Sequence, residues 1–422
     1  MASLSGSNGS VDPIKHIPLY FDNTDAEGTA TKLAFALFED WEHSDGTLAF
    51  TRFTDGITNN TESVRPPRTD LEVPLSDPSI GEIRAHSILA KHKLAPPLLA
   101  HFENGLLYRY CEGTVCMPED LRRPEVYQAV ARRLAEWHAT LPVSAISSKS
   151  SSQYAPSPVD SLLGDRQSSD CTMDGDAKKS SKGNSAPTPN LWAVMQKWIT
   201  ALPADTDAAR QRKEQLQEEL EWLVKELSDT LGIGESPYVF SHCDLLSGNV
   251  IIMPSSGSKQ PDAGESNNDT PDLSVAFIDY EYATPAPAVF DISNHFAEWG
   301  GFDCDHSALP TKSQRIDFLR HYLKSYNEHS RGGNLDPQAT ETELQELNSE
   351  INRFRGVPGF YWGIWALIQA LISQIDFDYA SYAEIRLSEY WAWKEAEYGQ
   401  NRSAEDIVGK ERPLRERRWA QE

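Results

Sequence analysis

Val239-Phe-Ser-His242-Cys243-Asp244-Leu-Leu-Ser-Gly-Asn249-Val-Ile-Ile252 decides the reading of this chain, together with Val275-Ala-Phe-Ile-Asp279-Tyr-Glu281-Tyr282. Each stretch is an apolar run carrying an acid at a fixed place. Residues 239–240 read as a short buried strand, the polar residues after them as a loop, and 250–252 as a strand leaving it. Residues 275–278 read as a third strand that ends at Asp279. Loops on a rigid sheet can aim Asp244, Asn249 and Asp279 at one ligand. That set suits phosphoryl transfer, with Asp244 orienting a hydroxyl while Asn249 and Asp279 offer hard oxygens to Mg²⁺. Asp and Asn in loops also form ordinary turns. The pattern H-x-D-x4-N between strands, followed by an apolar run ending in D-x-E, is far more selective.

On these residues the chain resembles the phosphotransferases that include choline and ethanolamine kinases and aminoglycoside phosphotransferases. The continuation Asp279-Tyr-Glu-Tyr282, then Phe290-Asp291-Ile-Ser-Asn-His-Phe-Ala-Glu298-Trp299, narrows this to the choline/ethanolamine kinase family. Asp244-Leu-Leu ahead of Asn249, with Phe277-Ile-Asp-Tyr-Glu-Tyr282, resembles the ethanolamine kinase branch most. The resemblance implies an α+β, bilobal protein-kinase-like fold. A small β-rich N-lobe would span 31–112 and a larger, mainly helical C-lobe 113–400. It further implies ATP as co-substrate, Mg²⁺ as cofactor, and phosphorylation of ethanolamine to phosphoethanolamine on the way to phosphatidylethanolamine. Choline, or both amino alcohols, is the alternative substrate. Asp244 would accept the hydroxyl proton and His242 would brace its loop. Asn249 and Asp279 would hold the metal, with Glu281 a second contact or an outer-shell residue. Asp291 is expected to brace the helix it opens, and His138 to be a packing histidine.

Composition agrees with a soluble enzyme. A net charge of −24 over 422 residues argues against nucleic acid or an anionic membrane as partner. The five cysteines, at 111, 116, 171, 243 and 304, form no C-x2-C pair, so a reducing compartment without zinc or disulfides is expected. Cys243 reads as a small apolar filler rather than a nucleophile. The first residues carry no basic or apolar leader, and the most apolar stretch, 361–372, is too short to span a bilayer. A cytoplasmic protein is expected, and the resemblance allows a homodimer.

Along the chain, 1–30 reads as disordered, 31–41 as a helix and 48–53 as a strand. In the family, Thr54-Asp-Gly56-Ile-Thr58-Asn59 is the loop that covers the nucleotide phosphates. The family's next strand, which carries a basic phosphate contact, is not visible. Residues 60–80 are rich in Pro and turn formers, 71–75 would make at best a short edge piece, and only Arg65 and Arg68 supply base nearby. Glu82, on the following helix, would then lack its partner, and a catalytically impaired protein becomes the reading from another class. Residues 94–110 read as a hairpin, and Arg109-Tyr110-Cys111 resembles the hinge that meets adenine. A helix at 124–141 follows. Residues 144–189 and 254–271 read as disordered insertions, and 401–422 as a tail. The C-terminal helices at 316–326, 341–354, 361–370 and 379–393 are aromatic, and aromatics at helical spacing are usually core. By resemblance, Trp362, Trp365 and Tyr382, with Tyr282 and Glu298, would line an amine site, where aromatic faces and a carboxylate hold an ammonium.

Overall fold

The computed structural model describes residues 14–43, 48–53, 61–65, 73–76, 80–143, 189–230, 232–234, 236–254, 273–330, 340–373, 375–399 and 414–422. Two compact units result, one built from 1–78 and 96–111, the other from 79–95 and 112–422.

The first unit is a sheet carrying helices. Its strands are β1 (Lys15–Ile17), β2 (Ala49–Phe53), β3 (Thr61–Arg65), β4 (Val73–Ser76), β5 (Leu98–Phe102) and β6 (Gly105–Tyr108), in the order β1-β5-β6-β4-β3-β2. All neighbours are antiparallel except β1 with β5. Helices α1 (Ala26–Leu37) and α2 (Glu39–Glu42) belong to it. Ala30, Leu33 and Ala34 of α1 are buried with Ile17, Ala100, Phe102 and Leu107, which places a small apolar core between helix and sheet.

Two expectations are corrected here. The stretch 60–80 contains two strands, and β4 is an interior strand held by β3 and β6 rather than an edge piece. Pro74 pairs with Ser63, and the β4–β6 ladder begins only at Leu75, so its missing N–H costs little there. The expected absence of a strand is therefore overturned, while β4, Val-Pro-Leu-Ser, carries no basic residue. Residues 14–30 are also not disordered, because Ile17 and Ala30 are anchored in the core. The loop 54–59 lies outside the described residues, as do the two insertions apart from residues 189 and 254.

The second unit is mostly helical. It contains α3 (Ile80–Lys91), α4 (Pro124–Thr140), α5 (Leu191–Ala201), α6 (Asp207–Leu227), α7 (Ala288–Glu298), α8 (Lys312–His329), α9 (Glu341–Phe354), α10 (Val357–Ile372), α11 (Tyr379–Tyr398) and α12 (Leu414–Ala420). Its short strands are β7 (Thr114–Val115), β8 (Val239–Ser241), β9 (Val250–Ile252), β10 (Val275–Phe277) and β11 (Thr284–Ala286). They form the sheets β10-β9-β7 and β11-β8. Helix α3 groups with this unit, not with 31–112 as the sequence suggested, and His86 meets Tyr280 edge-on at 5.2 Å. Helix α4 begins with Pro124, whose fixed φ suits a first turn. Its Trp137 donates to Phe240 O at 2.6 Å, tying the helix to β8.

The expected tail at 401–422 ends in a packed helix, α12. Trp419 is buried under Arg315, 3.8 Å from its ring, and donates to Asn352 Oδ1 at 2.8 Å. Charged residues surround Trp419, so the apolar period is hidden in the sequence. Helices α10 and α11 pack closely. Gly359 permits this approach, because a Cβ there would lie 2.5 Å from Arg386 O. Among the described residues no helix is long and apolar enough to cross a membrane, and the four described cysteines are free thiols.

Candidate active site

Strand β8 delivers the chain into residues 242–246, and one face of α7 holds those residues in place. Asp291, Asn294, His295 and Glu298 fall at i, i+3, i+4 and i+7, so they share that face. Asp291 accepts the backbone N–H groups of His242 and Cys243, each at 2.8 Å. Asn294 donates to Cys243 O at 2.9 Å, and His295 Nδ1 donates to Leu245 O at 2.8 Å. Burial lowers the His295 pKa to about 4, so the ring stays neutral. Asp291 therefore braces the loop rather than its own helix. His138 adds a third bond to Asp291, at 3.0 Å, while its other nitrogen meets the Tyr322 hydroxyl at 2.7 Å. Burial alone would raise the Asp291 carboxyl, but His138, His242 and the Cys243 N–H hold it below its ordinary value.

Cys243 needs this bracing. It sits at φ 65°, in the left-handed region that disfavours a side chain, and it is wholly buried. Asp279, at the end of β10, adopts φ 62°. Both acidic positions therefore follow or occupy a strained residue.

His242 is a positioning residue. Its Nε2 donates to Ile278 O at 3.0 Å and its Nδ1 accepts the Asp244 N–H at 3.3 Å, so both ring nitrogens are taken. Burial lowers its pKa, consistent with the neutral ring those bonds require. The ring thus ties the Asp244 loop to the residue preceding Asp279. Asn249 Nδ2 donates to Asp244 O at 2.8 Å and to Asp244 Oδ2 at 3.0 Å, which fixes one carboxylate oxygen.

Asp244 is buried, and burial is the first cause that raises its pKa well above the usual range. Repulsion from Asp279, Glu298 and Glu281 adds to it, and the Asn249 hydrogen bond opposes it. Burial likewise raises Asp279 to about 6, against a bond from the Glu281 backbone. Asp279 Oδ1 is sealed from solvent with no hydrogen-bond partner among the described residues. An orphaned carboxylate oxygen beside a crowd of acids is what a site for a hard cation looks like when only protein groups are counted. The residues fit Mg²⁺, although no cluster of three or more His, Cys, Asp or Glu forms a metal cage among the described residues.

Next to the carboxylates stands an aromatic cluster. The ring of Tyr282 lies 5.4 Å from Trp362 and 6.4 Å from Trp365, which are 5.3 Å from each other and nearly perpendicular. Trp365 Nε1 donates to the Tyr282 hydroxyl at 2.9 Å and Trp362 Nε1 to Asn294 Oδ1 at 2.8 Å. The bond to Asn294 ties the Trp362 ring to the helix face that braces Asp244, and the other joins Trp365 to Tyr282. Glu298 is buried, and its Oε1 accepts from Arg386 Nη2 at 2.9 Å. Tyr382 lies one turn before Arg386 on α11, its ring 5.7 Å from the guanidinium carbon.

Comparison with known proteins decides the family. A family model described as choline/ethanolamine kinase matches residues 75–391. The chain belongs to the choline/ethanolamine kinase family. It is 30% identical over 378 residues to ethanolamine kinase 1 of Mus musculus, covering 84% of this chain and 85% of that protein. It is 32% identical over 365 residues to a protein named probable ethanolamine kinase in Nematostella vectensis, covering 82% and 88%. Among solved structures, an ethanolamine kinase of Plasmodium vivax matches with a TM-score of 0.61 at 23% identity, over 88% of this chain and 90% of that one. The likeness to that structure bears out the protein-kinase-like fold expected from the sequence.

Of the residues read as functional in this family member, the structure gathers Asp244, His242, Asn249 and Asp279 around one loop. It groups Tyr282, Trp362 and Trp365 in one cluster, and it sets Glu298 against Arg386. Gly56, Thr58 and Asn59 lie outside the described residues, and Glu82 stands on α3 with its side chain outside them. Arg109 is exposed, with its N–H donated to Pro97 O at 3.0 Å, and Tyr110 and Cys111 are half-buried. Sequence reasoning missed Arg386 and Asn294. The i, i+3, i+4, i+7 run from Asp291 to Glu298 was the available signal for Asn294. Arg386 had none, because one arginine on a charged helix looks like any solvated residue.

Proposed function

We propose that this protein is an ethanolamine kinase, transferring the γ-phosphoryl group of ATP to the hydroxyl of ethanolamine. The observation that carries this reading is Asp244. It is buried and fixed by Asn249 through one oxygen, and its other oxygen has no hydrogen bond among the described residues. Asp244 orients the substrate hydroxyl and takes its proton. Asn249 Oδ1 and Asp279 Oδ1, which has no hydrogen-bond partner among the described residues, would hold Mg²⁺, with Glu281 a second metal contact or an outer-shell residue. When bound, the ion neutralises charge on the transferred phosphoryl group. His242, Asp291, Asn294 and His295 keep the loop in its geometry. Tyr282, Trp362, Trp365 and Tyr382 offer ring faces to the ammonium, and Glu298 supplies negative charge. The nucleotide falls to Gly56, Thr58, Asn59, Glu82 and the 109–111 segment by the family pattern.

The 30% identity to ethanolamine kinases favours ethanolamine as substrate. The three-ring cluster also suits a quaternary ammonium, which makes choline the second reading. The test is ADP release with Mg·ATP and ethanolamine, choline or no amine. Preference for ethanolamine supports the proposal, preference for choline replaces it with the second reading, and no turnover from folded protein overturns both.

A further inference from the structure

We propose that Arg386 determines how the site reads its amine, by holding Glu298 as one half of a buried ion pair. This rests on the reading of Glu298 as the acid of the amine site. Arg386 is fully buried, and α11 carries it into place where Gly359 lets α10 approach. Its Nη2 donates to Glu298 Oε1 at 2.9 Å, and its Nε stands 3.5 Å from Glu389 Oε2 on the opposite side. Glu389 is itself fixed by His306 Nε2 at 2.7 Å. Neither Nε nor Nη1 of Arg386 has a hydrogen-bond partner among the described residues, so Nη2 carries its bond to Glu298.

The groups acting on Glu298 come from several elements. Arg386 and Glu389 lie on α11, and Asp244 on the loop after β8 feels the field of Glu298. Cys304 and Tyr382 lie within reach of both Arg386 and Glu298. Among these, Arg386 is the cation. It engages Glu298 through Oε1, and in this proposal Oε2 is the oxygen that accepts from the ligand.

That division matters differently to different amines. A primary ammonium has three N–H donors and depends on acceptor oxygens at set positions. A quaternary ammonium has none and is held by ring faces and by charge at longer range. Loosening Arg386 should therefore harm a primary amine more than a quaternary one. A residue that merely packs would harm both alike.

The experiment compares the full chain with Arg386→Met and Arg386→Lys, measuring kcat and KM for ethanolamine, choline and ATP. In Arg386→Met the ethanolamine KM rises about tenfold or more and the ethanolamine-to-choline ratio of kcat/KM falls about fivefold, with the ATP KM held within about twofold. Arg386→Lys, which keeps the charge without the fork, recovers part of the ratio. An unchanged ratio in either folded variant overturns the proposal, as does a parallel rise of amine and ATP KM. If Arg386→Met does not fold, the ratio in Arg386→Lys alone decides. A wild-type chain that turns over neither amine removes the underlying function, and that control is read before any variant.

Discussion

Asp291 Oδ1 accepts the Cys243 N–H at 2.8 Å while Cys243 sits at φ 65°, so a helix carboxylate holds a strained residue directly ahead of Asp244. With its Oδ2 taking the His242 N–H and the His138 ring, Asp291 serves three donors in a fully buried setting. Asp291→Ala would leave two backbone N–H groups buried and unpaired. The expected loss is roughly 3–5 kcal/mol, the scale for removing one partner of a buried charged network. Urea unfolding checks it. A loss under about 1 kcal/mol would mean that water replaces the carboxylate.

Asp244 is expected to trade stability for activity. Burial and three neighbouring carboxylates raise its pKa, so its charge is unfavourable in the ligand-free fold. Asp244→Asn keeps the shape and the Asn249 contact can rearrange, while the proton acceptor is gone. Turnover should fall by about 10²–10⁴, and the thermal midpoint of the ligand-free protein should rise. A midpoint that falls would show that Asp244 is a structural acceptor first.

Trp365 should act on the amine alone. Its indole N–H is fixed to the Tyr282 hydroxyl and its ring stands across Trp362. Trp365→Leu removes one ring face, worth about 1–2 kcal/mol for a desolvated cation, or about 5–30-fold in amine KM. The ATP KM should stay put. Equal changes in both constants would place Trp365 in the general packing of the unit.

What the sequence revealed depended on whether a signal was local. The loop from His242 to Asn249 and the strand ending at Asp279 were legible because apolar runs with polar residues at fixed spacing leave few alternatives. The helix at 341–354 was legible to both ends, and the one expected at 379–393 is present and runs on to Tyr398. Strand β4 was hidden by Pro74, whose cost depends on where the neighbouring ladder starts, a fact of pairing rather than of sequence. Helix α12 was hidden because the guanidinium groups of Arg315 and Arg355 stand over the Trp419 ring, so the sequence around it reads as charged. The partner of Glu298 was hidden for the same kind of reason, since 88 residues separate it from Arg386.

Glu389 should govern acid stability. Burial by itself would raise its carboxyl, but Arg386, Arg415 and the His306 bond together hold it down to about 2, from an ordinary 4.5. Because the folded value lies below the unfolded one, Glu389 contributes stability that is fully present above about pH 4.5. That contribution is lost as pH falls toward 2. A depression of this size corresponds to something on the order of 3 kcal/mol. Glu389→Gln removes the titrating group and leaves Arg386 and Arg415 short of a counter-charge, so it should be less stable than wild type at pH 7. Its stability should also fall less steeply between pH 4.5 and 2. Urea midpoints for both proteins across that interval make the comparison. Parallel slopes would mean that the acid sensitivity resides in other carboxylates, and a Glu389→Gln protein as stable as wild type at pH 7 would mean that the two arginines do not need it.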